Sequence, residues 1–135
     1  MEHTPILNIQ NLRVAFSSNS GLNEVLHGIS YNLFPNEILG IVGESGSGKS
    51  VASLAIMGLL PLNKSSISTG EIIFKNSDLL RYSQKEMEAL RGQKIAMIFQ
   101  EPMSALNPSM CCGKQVEEIL LQHTTITPKA AKTEV

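Results

Sequence analysis

The chain has 135 residues, 42% of them hydrophobic and 17% charged, with a net charge of −1 at pH 7. That length supports one domain with its own core, and the near-neutral balance excludes a basic footprint for nucleic acid. The apolar run 54–62 is too short for a transmembrane segment and is broken by Pro61. The opening residues, Met1-Glu2-His3-Thr4-Pro5, carry neither the basic nor the apolar region of a secretory signal. The two cysteines, Cys111 and Cys112, are adjacent, so they make neither a spaced metal pair nor a disulfide framework. The compartment expected from them is the reducing cytoplasm.

In chain order, residues 6–16 mix apolar and polar positions (Ile6, Ile9, Leu12, Val14, Phe16) as a half-exposed strand does. A turn cluster, Ser17-Ser18-Asn19-Ser20-Gly21, precedes a second alternating stretch over 25–33, which predicts two antiparallel strands. Pro35-Asn36-Glu37 turns the chain, with Asn36 tolerating a left-handed conformation. Ile38-Leu39-Gly40-Ile41-Val42 then reads as a strand buried on both faces of a parallel sheet.

Directly after it stands Gly43-Glu44-Ser45-Gly46-Ser47-Gly48-Lys49-Ser50, which fits G-x-x-x-x-G-K-[ST] at every fixed position. The glycines let backbone N–H groups approach an anion, Lys49 brings positive charge to the β- and γ-phosphates, and the Ser50 hydroxyl suits Mg²⁺. Glu44, Ser45 and Ser47 act mainly through their backbone. A Gly/Ser-rich turn could match by composition alone. The strand before the loop and the helix after it (Val51, Leu54, Ala55, Gly58, Leu59, stopped at Pro61) favour a nucleotide site.

Residues 62–69 read as a polar loop, and Gly70–Phe74 as a strand. Ser83 and Glu86 form a capping box for a helix carrying Met87 and Leu90, with Gly92 suited to its end. A second continuous apolar strand follows at 95–99, ending in Gln100. A loop bracketed by Pro102 and Pro108 leads to a helix with Val116, Ile119, Leu120 and His123 on one face and Glu117, Glu118 and Gln122 on the other. Thr127-Pro128 reads as an N-cap with proline at the first helical position. His3, His27 and His123 lack metal-ligand spacing, and methionines such as Met97 and Met103 read as core and loop filler.

This order of motifs resembles the nucleotide-binding subunit of ABC transporters. The residues that carry the resemblance are Val42–Ser50, similar to the Walker A loop, and Ile98-Phe99-Gln100-Glu101-Pro102, similar to the Q-loop. The strings Val-Gly-Glu-Ser-Gly-Ser-Gly-Lys-Ser and Gln-Glu-Pro-Met-Ser-Ala-Leu-Asn-Pro look most like the oligopeptide, dipeptide and nickel importers. Asn36 stands where the family usually has glycine.

The resemblance implies an α/β P-loop NTPase domain, in part. A parallel core sheet would carry the loop, the N-terminus would add an antiparallel β portion, and a helical subdomain would begin near the end. The implied divisions are 6–60 (antiparallel strands, Walker A and first helix), 61–100 (strands and helix up to the Q-loop) and 101–135 (start of the helical subdomain). It further implies ATP and Mg²⁺ as cofactors, with Phe16, Gly43, Glu44, Ser45, Gly46, Ser47, Gly48, Lys49, Ser50 and Gln100 binding nucleotide and Ser50 and Gln100 ligating the metal. Phe16 would stack on adenine, although an aromatic at a strand end serves equally well as packing. Expected partners are membrane-spanning permease chains and a second ABC ATPase subunit, identical or not, with the chain peripheral on the cytoplasmic face of the cell membrane.

The chain contains no Leu-Ser-Gly-Gly-Gln signature, no Walker B aspartate with its glutamate, and no switch histidine. The expectation is therefore the N-terminal portion of a longer subunit, with no catalytic residue identifiable here, that binds nucleotide but hydrolyses it poorly or not at all. Two other readings stay open: a soluble ABC-type ATPase acting on nucleic acid or ribosomes, and an inactive nucleotide-binding remnant.

Overall fold

The alternation of apolar and polar residues in the first third of the chain produces a long hairpin. In the computed structural model, strand β1 (Leu7–Ser18) pairs antiparallel with β2 (Gly21–Leu33), from Leu7 opposite Leu33 to Ser18 opposite Gly21. The structure describes residues 4–19, 21–101 and 106–135. Ser20 of the predicted turn, His3, and Pro102, Met103, Ser104 and Ala105 of the predicted loop lie outside the described residues.

β3 (Ser65–Phe74) lies on the other side of β1, and the two-residue β4 (Ser77–Asp78) closes a four-stranded sheet of order β2-β1-β3-β4. β3 begins five residues before the predicted strand and takes up more than half of the predicted polar loop. Its exposed serines alternate with Ile67, and β1 supplies the ladder partners (Phe16 opposite Ser65, Val14 opposite Ile67). Pairing thus overrides the low strand propensity of a serine-rich run. Ile9, Leu12, Val14 and Ile72 are fully buried on this sheet and form the heart of the core.

The β1 register shifts between Gln10 and Arg13, where Asn11 takes a left-handed φ of 44°. Gly70 crosses this bulge with φ of 112°, and a Cβ there would meet Leu12 Cα at 2.6 Å, Asn11 O at 2.7 Å and Gln10 O at 2.8 Å. Three backbone atoms thus close the space a side chain would need.

Asn36 adopts the expected left-handed conformation, φ 62°, in a turn where Glu37 N donates to Phe34 O at 3.2 Å and Phe34 N donates to Glu37 Oε2 at 2.8 Å. The next segment departs from expectation. The sheet is antiparallel throughout, and neither 38–42 nor 96–99 forms a ladder among the described residues. Ile38 is 98% exposed, Val42 95% and Ile98 92%. An extended run becomes a strand only when a neighbour accepts from its N–H groups and donates to its C=O groups, and neither run has a ladder partner among the described residues. The predicted parallel core sheet is therefore not formed by the described residues. Among the described residues the one parallel pairing is an isolated bridge between Arg91 and Ile95.

Helix α1 (Lys49–Ile56) buries Ala52 and Ala55 and stops well before Pro61. The stop is a Schellman motif: Gly58, at φ 60°, donates to Ala55 O at 3.0 Å, and Leu59 N donates to Leu54 O at 2.9 Å. Asp78 caps the short 3₁₀ turn Leu79–Arg81 by accepting from Leu80 N at 3.1 Å.

Helix α2 (Gln84–Leu90) carries the predicted capping box, with Ser83 N donating to Glu86 Oε2 at 2.7 Å and Glu86 N donating to Ser83 Oγ at 3.4 Å. The Ser83 hydroxyl and backbone N–H hold the Glu86 carboxyl below the usual glutamate range. A lowered folded pKa gives stability that is present above the unfolded value and lost as pH falls through the folded one. Thermal melts of wild type and Glu86→Gln should therefore diverge at neutral pH and converge in acid; a gap of constant size would contradict the box.

The chain divides into two units, the first ending at Met87 and the second beginning at Glu88. In the second unit, α3 (Cys112–His123) leaves Val116, Ile119 and Leu121 exposed, so its predicted apolar face buries no residue. α4 (Pro128–Glu134) starts as predicted: Thr127 Oγ1 accepts from Ala130 N at 3.3 Å, and proline fills the first position. No helix of the described residues is long and apolar enough to cross a membrane.

Candidate functional site: the loop before α1

β2, the segment 38–42 and α1 meet around the glycine-rich loop. Its first half is a turn in which Ser47 N donates to Glu44 O at 3.2 Å, with Gly46 at φ 82°. Gly48 then serves as the N-cap of α1 in a left-handed conformation, φ 89° and ψ 1°. It is buried against β2, where an added Cβ would lie 2.5 Å from Leu26 Cδ2 and 3.3 Å from Val25 O. Only a residue without a side chain satisfies the backbone angle and the packing together. The helix start is thus fixed against the sheet by the absence of an atom.

The side chain of Lys49 folds back over the loop. Its Nζ donates to Gly43 O and Glu44 O, both at 2.6 Å, and to Ser47 Oγ at 3.1 Å. These partners hold the ammonium beside the turn that precedes the helix. At the same end, Ala52 N donating to Gly48 O at 2.9 Å is the first intrahelical bond. The N–H groups of the first turn have no acceptor within the helix, the N-cap glycine supplies none, and the first turn holds no acidic residue. Positive dipole end, clustered N–H donors and a half-buried lysine together suit a polyphosphate. Exposed Ser50 lies in the first turn, one residue beyond Lys49. Its hydroxyl has the right chemistry for a magnesium ligand.

A groove of about 610 Å³ runs beside the loop, lined by Ser47, Gly48, Lys49 and Ala52 on one side and by Leu26, Ile29, Ser30, Tyr31 and residues 39–42 on the other. Phe16 is not among its lining residues. It is half-buried on β1, between Asn23 of β2 and Ser65 of β3. Tyr31, half-buried in the groove wall, has its hydroxyl pKa pushed up by burial. Sequence reading did not single out Tyr31 or Leu26, because a cross-strand neighbour of the loop leaves no local signal. Gln100 is exposed and belongs to the second unit, whereas Phe16 and the whole loop belong to the first. Among the described residues no group of three or more His, Cys, Asp or Glu could hold a metal.

A family model described as ABC transporter matches residues 26–134. The dipeptide transport ATP-binding protein DppD of Bacillus subtilis (strain 168) is 49% identical over 96% of this chain and 39% of its own length. The oligopeptide transport ATP-binding protein OppD of the same organism is 46% identical over 96% of this chain and 36% of its own. The probable D,D-dipeptide transport ATP-binding protein DdpD of Escherichia coli (strain K12) is 40% identical over 95% of this chain and 39% of its own. The chain therefore spans less than two fifths of the length of these relatives. Matched over most of its residues, from Leu26 past the loop to Glu134, the chain belongs to the ABC transporter family.

Proposed function

We propose that this chain is the phosphate-binding portion of an ATP-binding subunit that powers import of peptides or related solutes. The observation that supports this most is the glycine-shaped start of α1, which sets unsatisfied N–H groups beside the Lys49 ammonium. The names of the relatives, each a peptide or dipeptide transport ATP-binding protein, supply the solute class. In the full subunit, 38–42 and 95–99 would be parallel strands of the core sheet, which accounts for apolar side chains that stand in solvent here.

The site residues take the following roles. Backbone N–H groups of Gly43, Glu44, Ser45, Gly46, Ser47 and Gly48 cradle the phosphates. Lys49 leaves its loop carbonyls for the β- and γ-phosphate oxygens, and Ser50 and Gln100 ligate Mg²⁺. Bound Mg·ATP supplies the phosphoryl group, and this chain's residues position it and offset its charge. Phe16 offers its ring to the adenine. Permease chains and a second ATP-binding subunit are the partners, with the assembly on the cytoplasmic side of the membrane. Residues 1–135 alone bind nucleotide and turn it over poorly or not at all, because no residue among them is patterned to orient the attacking water.

The test is titration of the chain with Mg·ATP. Saturable binding of one nucleotide, competed by ADP, is expected; no binding by folded chain would contradict the proposed phosphate site. Phe16→Ala should weaken binding by about 1 kcal/mol, roughly fivefold, while Phe16→Tyr retains it. Equal affinity in all three proteins would turn the ring away from adenine.

A further inference from the structure

Outside the loop, two neighbouring thiols stand at the start of α3. Cys111 and Cys112 are both free and exposed, and they are the only cysteines in the chain. Cys111 is extended, φ −61° and ψ 140°, and Cys112 is the first residue of α3. Two side chains hold the backbone before them: Gln115 Nε2 donates to Asn107 O at 3.1 Å and Met110 O at 3.0 Å, Gln115 Oε1 accepts from Asn107 N at 2.9 Å, and Asn107 Oδ1 accepts from Ser109 N at 3.0 Å. Cys112 also forms part of the wall of a cleft of about 420 Å³, with Leu106, Met110, Val116 and Ile119.

Adjacent Cα atoms across a trans peptide are about 3.8 Å apart, closer than the roughly 4.4–6.8 Å that a disulfide prefers. A direct S–S bond between these two residues would distort the start of α3. One soft atom inserted between the sulfurs removes that constraint, because each sulfur then bonds to the inserted atom and not to its neighbour. Trivalent arsenic carrying one organic substituent has the two vacant bonds required, and sulfur is its preferred donor.

We propose that Cys111 and Cys112 form a vicinal dithiol that chelates one monosubstituted trivalent arsenical, with the organic substituent seated in the Leu106–Ile119 cleft. Two As–S bonds form, the two thiol protons and the arsenoxide oxygen leave as one water, and the As–C bond is kept. Arsenic stays trivalent, so no oxidant or reductant takes part. The pair of sulfurs carries the site; neither thiol alone would, because the second bond is intramolecular and gains from effective concentration.

The probe is phenylarsine oxide added to the full chain. Mass spectrometry should show one arsenical per chain with loss of one water, and thiol titration should show both thiols consumed together. A small dithiol should release the arsenical, and a large excess of monothiol should not. Cys111→Ser and Cys112→Ser should each weaken binding by about 10²–10⁴-fold, the range expected for losing a chelate partner, and make it reversible by monothiol. Val116→Asp, which leaves both thiols in place, should weaken the phenyl compound and spare methylarsenous acid. Two arsenicals per chain, or equal affinity in either serine variant, would overturn the chelate; equal loss of both arsenicals in Val116→Asp would overturn the cleft.

Discussion

Lys49→Ala in a full-length subunit carrying this stretch should lower ATP turnover by about 10²–10³-fold or more, the scale of removing one preorganised donor at developing charge. Its melting temperature should stay close to wild type. Both parts follow from the contacts of Nζ, all of which lie within the loop, on Gly43 O, Glu44 O and Ser47 Oγ. Nothing in the hydrophobic core depends on that ammonium, so its removal should leave packing intact and take away the proposed charge-assisted contact to phosphate. Phosphate release measured beside a thermal melt separates the two effects. Wild-type turnover with a normal melt would remove Lys49 from the site. A collapsed melt would make it structural.

The second large effect is on stability, at the bulge in β1. Gly70→Ala should cost about 2–6 kcal/mol, combining positive-φ strain of roughly 1–3 kcal/mol with overpacking of similar size. The Cβ would fall within 2.8 Å of three β1 backbone atoms, none of which can rotate away as a side chain could. For a unit of this size the melting temperature should drop by at least about 10 °C. A shift within about 2 °C would mean that the bulge at Asn11 relaxes freely. Gly48→Ala meets a softer obstacle, the tip of Leu26, and should cost less.

Much of the local structure was legible because it rests on contacts within a few residues. The Ser83–Glu86 box, the Thr127 cap and the left-handed Asn36 are all determined by neighbours in sequence. The hairpin followed from period-two alternation. What was not legible depends on distant partners. Serines at 65–69 pair because β1 lies alongside, and no local propensity announces that. The runs at 38–42 and 95–99 have the composition of buried strands, yet composition states a requirement for neighbours without supplying them, and the described residues leave Ile38, Val42 and Ile98 in solvent.

The same division holds for the candidate site. The loop glycines and Lys49 were visible as a pattern, because a phosphate cradle is a short continuous stretch. The close approach of Leu26 to Gly48 and the half-buried Tyr31 in the groove wall were invisible, since both belong to β2 and reach the loop only through the fold. Phe16 and Gln100 were legible by resemblance alone; Phe16 does not line the groove, and Gln100 belongs to the second unit.

The most direct measurement is calorimetric titration of residues 1–135 with Mg·ATP, run in parallel on Lys49→Ala. The proposed phosphate cradle predicts one bound nucleotide and a loss of roughly 1.5–3 kcal/mol in the variant, about ten- to a hundredfold or somewhat more, the usual worth of a hydrogen bond to a charged group. Equal affinity in two equally folded proteins would contradict it.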